Sequence, residues 1–155
     1  MFFTHKTKQI LEEMSGEKAI MALDNLLTPI FYKSPNKLTE QEKMIVYIEE
    51  LEREVNNGGF NQFFFNSSGN YTDGVVQALK NIGSIKFLNL VESAIAQFPN
   101  SEVPKNRQQR QAILEKIDGE ANPIWNTLNK EFYKYEEDIY GLLRAYISKN
   151  IKHFR

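Results

Sequence analysis

Residues 39–66 read TEQEKMIVYIEELEREVNNGGFNQFFFN, and this stretch decides the fold. Thr39 and Glu42 stand in a Thr-x-x-Glu pattern, in which each side chain satisfies a free backbone N–H at a helix start. Met44, Ile48, Leu51 and Val55 follow at helical spacing and form one apolar stripe. Asn57-Gly58 is expected to end this helix, because Asn and Gly take the left-handed cap conformation cheaply. Gly59 permits a sharp reversal, and a second, short helix is expected from Phe60 to Asn66. Phe60, Phe63 and Phe64 lie at helical spacing with Phe65 beside them. Three of the four are expected in the core and one partly exposed, since four adjacent aromatics cannot all face one side.

Working outward, apolar spacing is helical almost everywhere, and no run of period-two alternation occurs. Upstream, helices are expected over about 5–14, with Ile10, Leu11 and Met14 on one side, and over about 16–31, where Pro29 can kink or end the helix. Downstream, Thr72 or Asp73 is expected to cap a helix running through Ile82. Gly83 then closes that helix and Ser84 caps the next, which runs to Phe98. A helix near 105–118 with Ala112, Ile113 and Ile117 inward ends at Gly119. Asn122-Pro123 opens another, with proline at its first position. Asp138 starts the last. The expectation is an all-α, compact, irregular bundle of seven or eight helices, one domain over residues 1–155 with the helices of residues 5–31 packed on the remainder.

Composition sets the class. At 155 residues, 41% of them apolar and 25% charged, the chain matches one globular domain. There is no cysteine, which excludes disulfides, thiol nucleophiles and thiolate metal sites and suits a reducing compartment. Residues 1–8 show no signal-peptide pattern, and no apolar run approaches the roughly 20 residues of a membrane span. The expected location is the cytoplasm. The net charge of −1 does not match a phosphate-binding protein.

Charge is nevertheless uneven. Residues 38–76 carry seven Asp/Glu against two Lys/Arg, whereas residues 77–155 carry nine against twelve. Glu40, Glu42, Glu49, Glu50, Glu52 and Glu54 are expected on a broad solvated helix face opposite the apolar stripe, interrupted by Lys43 and Arg53. Glu42, Glu49, Glu50 and Glu52 are thus candidates for an acidic partner surface. Glu136, Glu137 and Asp138 would extend it if the fold brings them close. Lys105, Arg107, Arg110 and Lys116 cluster on one helix and read as a solvated basic face.

Catalytic signatures are sparse. Both histidines, His5 and His153, lie near the ends of the chain. No Glu-x-x-His pair and no phosphate-binding glycine loop occurs, so no catalytic residue, metal ligand or cofactor is assigned. The junction offers a different possibility. Glu54, Asn57, Gly58, Gly59, Phe60, Gln62 and Asn66 put amides around two glycines, where a ligand can approach the backbone and free N–H groups can meet an anion. The structural alternative is a cap and reversal whose amides satisfy buried backbone groups.

The run Glu54-Val55-Asn56-Asn57-Gly58-Gly59-Phe60-Asn61-Gln62-Phe63, then Asn66, Gly69, Ala78-Leu79 and Ile82-Gly83, resembles the signature of a bacterial domain family named for a DNA-mimic protein. Leu128-Asn129-Lys130-Glu131-Phe132-Tyr133 and the residues through Phe154 resemble the family's ending. The resemblance covers about residues 38–155 and implies an all-helical fold. It also implies kinship with an acidic protein that mimics DNA to bind DNA-binding proteins. The near-neutral charge departs from that property, because mimicry needs negative charge at close to phosphate spacing.

Three functions follow in order: a non-enzymatic protein-interaction domain, a DNA-mimic-like binder of a DNA-binding protein through an acidic helix, and a small-ligand or enzymatic domain at the junction. The expected partner is another protein rather than nucleic acid or membrane. Oligomeric state is not legible in the sequence.

Overall fold

A computed structural model describes residues 3–155; Met1 and Phe2, at the start of the segment read for a signal peptide, lie outside the described residues. Among the described residues there are seven α-helices and no strand: α1 (Phe3–Glu13), α2 (Gly16–Lys33), α3 (Glu40–Phe65), α4 (Thr72–Ile82), α5 (Ile85–Ile95), α6 (Arg107–Phe132) and α7 (Ile139–Lys149). Short 3-10 turns at Pro35–Lys37, Ser67–Tyr71, Pro99–Ser101 and Ile151–His153 join or end them.

The central element is α3, which packs against α2, α4, α6 and the Ser67–Tyr71 turn. Its start is the expected capping box. The Glu42 N–H donates to Thr39 Oγ1 at 3.1 Å, and the Thr39 N–H donates to Glu42 Oε1 at 3.0 Å. Ile48, Leu51 and Val55 are buried, and so are Ile45 and Val46, while Met44 is only partly covered. Burial therefore extends well beyond one stripe.

Phe60, Phe63 and Phe64 are fully enclosed and Phe65 is 48% exposed, so three of the four aromatics are core. Phe64 meets Phe98 edge-on at 4.8 Å and Trp125 at 5.4 Å, and Phe132 meets Phe87 at 4.9 Å. Each such side chain stabilises by about 1.5–3 kcal/mol through burial alone. The Trp125 indole N–H is satisfied by the Ala94 carbonyl at 3.0 Å.

Several local expectations are corrected. Pro29 lies inside α2 and does not end it. Met14 falls beyond α1 and is exposed. Gly83 closes α4 in the left-handed conformation, but Ser84 does not cap α5; its hydroxyl donates to Glu137 at 2.6 Å instead. Thr72 does not cap α4, because its hydroxyl turns back to the Gly69 carbonyl at 2.8 Å. The same holds for Asp73, which lies inside the first turn.

The two helices expected on either side of Gly119 are one, α6. Pro123 removes a single N–H, and the carbonyl four residues before it, which that N–H would have met, belongs to exposed Gly119. Asn61 of α3 donates to Asp118 at 3.1 Å and to Asn122 at 3.0 Å, tying the stretch around Gly119 to one neighbour. The inward face also differs from the expected one. Ala112 is exposed and Ile113 and Ile117 half-buried, whereas Arg110, Leu114, Ala121 and Trp125 are buried.

Candidate interaction site

The junction is a kink inside α3. Gly59, not Gly58, breaks the helix, with φ +77° and ψ −176°, a conformation essentially confined to glycine. A Cβ on Gly59 would lie 2.2 Å from Asn129 Nδ2. Asn129 reaches in from α6, and its side-chain oxygen accepts the Phe60 N–H at 2.9 Å. The second half of α3 thus has an N-cap supplied by another helix.

Glu54 spans the kink. Its Oε2 accepts from Gln62 Nε2 at 2.8 Å and from Asn66 Nδ2 at 3.0 Å. Gln62 folds back over Gly58 so closely that a Cβ there would lie 1.9 Å from its Oε1. The candidate binding residues Glu54, Asn57, Gly58, Gly59, Phe60, Gln62 and Asn66 are therefore brought together, but their polar groups largely serve one another. Phe60 is core. An open groove of about 450 Å³ lies over Arg53, Glu54, Asn57 and Gln62.

The end of α3 is held by the start of α6. Arg110 is fully buried, which corrects its place on a solvated basic face. Its guanidinium donates to the carbonyls of Phe64 at 2.5 Å, Asn66 at 2.8 Å and Pro104 at 2.9 Å, and to Asn70 Oδ1 at 2.9 Å. Arg107 and Gln111 donate to the Phe65 carbonyl. Cations at these carbonyls also oppose the negative end of the helix dipole. Burial, with Arg107 nearby, lowers the Arg110 pKa to about 10. The close approach explains Gly69, where a Cβ would lie 2.4 Å from Arg110 Nε.

The acidic face of α3 is where the sequence misleads most. Glu42, Glu49, Glu50 and Glu52 are all buried, at 0%, 9%, 7% and 4% exposure, so they do not form the expected solvated strip. The reason is the central position of α3, which leaves it little face for water. Glu42 is bridged by Arg155 at 2.8 Å. Glu50 pairs with Arg53 at 2.6 Å, and Arg53 also binds Asp24 of α2. Burial acts against the Arg53 charge, but Asp24 and Glu50 hold its pKa above the ordinary value. Glu50 itself is pushed up by burial, against the pull of Arg53.

Glu52 faces the α6–α7 turn, residues 133–138. The hydroxyls of Tyr135 and Tyr140 donate to Glu52 Oε1 at 3.0 and 2.8 Å, and Asn56 donates to the Tyr135 oxygen at 2.7 Å. Burial, and then the Glu52 charge, raise the pKa of both tyrosines. Above them lies a groove of about 580 Å³ lined by Glu17, Glu136, Glu137 and Asp138 with the two tyrosine rings, stacked at 6.4 Å. No lysine or arginine is among its lining residues. Glu136 pairs at 3.3 Å with Lys86, both groups being half-exposed or more, so the pair is screened. The fold does bring the 136–138 carboxylates beside α3. It sets them against Glu17 and the tyrosines rather than alongside a solvated α3 face. Glu17 and the two tyrosines carried no mark in the sequence that distinguished them from any other surface or core position.

A family model described as DMP19-like protein matches residues 36–150, more than half of the chain. No curated protein and no solved structure matches. Among the described residues no helix is long and apolar enough to cross a membrane.

Proposed function

The chain belongs to the DMP19-like protein family, and from that premise we propose that it is a non-enzymatic, cytoplasmic protein-interaction domain of bacterial type that docks a basic protein at the groove beside the α6–α7 turn. One observation carries this reading: Glu17, Glu136, Glu137 and Asp138 converge on one groove whose lining includes no basic side chain. Such a field draws a cationic partner and makes association depend on salt. The stacked tyrosines add aromatic faces on which a lysine or arginine can rest.

Family membership favours a DNA-binding protein as that partner, and the charge distribution moves the contact away from the acidic helix. Most of the α3 carboxylates are buried or paired, so α3 does not offer charge at phosphate spacing. A small-ligand role at Gly58-Gly59 finds less support, because Glu54, Gln62 and Asn66 already satisfy one another.

The test is capture from the native host's extract by wild type, by a Glu17→Gln/Glu136→Gln/Asp138→Asn variant and by Gln62→Ala. The expected partner is basic, is released by high salt, is competed off by duplex DNA, and is lost in the triple variant alone. Equal capture by the triple variant would remove the groove from the proposal. Loss only with Gln62→Ala would return the site to the junction.

A further inference from the structure

We infer that Glu49 and Glu52 hold one proton between them, a buried carboxyl–carboxylate pair that clasps the α6–α7 turn onto α3. The two residues are three apart on one helix and therefore neighbours on its surface. Both are more than nine-tenths buried. Glu49 Oε1 and Glu52 Oε2 are each buried with no hydrogen-bond partner, and after burial Glu52 is the group that acts most on the Glu49 carboxyl. Two ionised carboxylates would leave both atoms orphaned and two like charges in contact, an arrangement that proteins avoid by keeping a proton. One proton on Glu49, donated to Glu52, pairs the carboxyls through the very oxygens that lack partners.

The surrounding groups do not supply the missing donor. From α2, Asp24 accepts from Thr28 at 2.5 Å and from Arg53, and it adds negative charge. On α3, Arg53 is the cation acting on Glu49, but its guanidinium is committed to Asp24 and Glu50. From the α6–α7 turn and α7, the Tyr135 and Tyr140 hydroxyls both go to the other oxygen of Glu52. Glu17, whose charge acts on Tyr140, adds a further negative group. Burial, then the hydrogen bond to Glu52, pushes the Glu49 carboxyl up to about 10.

The consequence is mechanical. Glu52, accepting from Glu49 on one oxygen and from two tyrosines on the other, fastens the turn carrying Glu136, Glu137 and Asp138 to α3, beside the Tyr133 hydroxyl on the Val55 carbonyl and Asn56 on Tyr135. Loss of the shared proton sets two adjacent negative charges under those tyrosines and loosens the turn. This inference does not depend on the identity of any partner.

Carboxyl carbon NMR of the full chain labelled on glutamate, recorded from pH 6 to 8, tests it. One glutamate carboxyl is expected to remain protonated across that range and to be the one that disappears in Glu49→Gln. Ionisation of every glutamate at pH 7 would overturn the inference, as would a protonated signal that survives in Glu49→Gln. Trypsin cleavage after exposed Lys134 reads the clasp separately. Glu49→Ala should be cut several-fold faster than wild type at pH 8, and Glu49→Gln, which keeps a donor, should not. Equal rates for all three would overturn the clasp. If Glu49→Gln does not fold, the wild-type spectrum still decides.

Discussion

The Asn129 side chain of α6 accepts the Phe60 N–H at 2.9 Å and occupies the space that a side chain on Gly59 would fill. The kink in α3 is therefore a joint product of two helices far apart in sequence. Gly59→Ala is expected to destabilise by about 2–4 kcal/mol, since it combines a strained backbone with displacement of Asn129. Asn129→Ala, which removes only the cap, should cost about 1–2 kcal/mol. Urea unfolding of both variants and the double variant checks the coupling. Fully additive losses would mean that the two residues act independently.

Arg110 is buried with oxygen acceptors on every side and no carboxylate among the partners described. Arg110→Met fits the volume but orphans those carbonyls, and a loss of about 3–5 kcal/mol is expected. Arg110→Lys should recover little of it, because an ammonium cannot reach acceptors spread around a planar fork. A Lys variant as stable as wild type would show that charge alone, without geometry, suffices there.

Glu54 ties Gln62 and Asn66 across the kink. Gln62→Ala and Asn66→Ala should each cost about 1 kcal/mol; in the Glu54→Ala background the Gln62 loss should vanish, since its acceptor is then gone, and the Asn66 loss should shrink to what its contact with Arg107 contributes. Chemical denaturation of the three single and two double variants measures this. Undiminished losses in the Glu54→Ala background would show that Glu54 is not what Gln62 and Asn66 act through.

A pH dependence follows from Glu49. Its folded pKa is raised from 4.5 to about 10, so the unfolded chain releases the proton first. The stability this group contributes is complete below about pH 4.5 and declines as pH rises toward 10. Thermal unfolding of Glu49→Gln should show a flatter profile across that window and a higher Tm than wild type at pH 8. Parallel profiles for the two proteins would contradict the sign.

That three of the four phenylalanines are core and one is exposed was readable from helical spacing, as was the cap at Thr39; the structure names Phe65 as the exposed one. Both depend on residues within a few positions of each other, where periodicity and hydrogen-bond chemistry are local. The family signature was legible for the same reason, being contiguous around Gly58 and Gly59. Its meaning was only half legible: the break could be placed at the two glycines, but which glycine turns depends on Asn129.

The candidate site lay mostly beyond the sequence. Glutamates spaced around a helix look solvated when the helix is taken alone. On α3 they are buried, because helices from both sides of the chain enclose it; Arg53 of α3 itself turns to Glu50 and to Asp24 of α2, while Arg155 and two tyrosines come from elsewhere to meet Glu42 and Glu52. Arg110 was misread likewise, since nothing local distinguishes a surface arginine from one that stitches two helices. What the sequence by itself determined was helical periodicity, the caps at Thr39 and Asp138 and the pair of glycines at which α3 breaks, which short-range physics controls. Which charges are buried, which face is acidic, and whether α6 runs on through Pro123 depend on contacts between distant segments, and those only the tertiary structure decided.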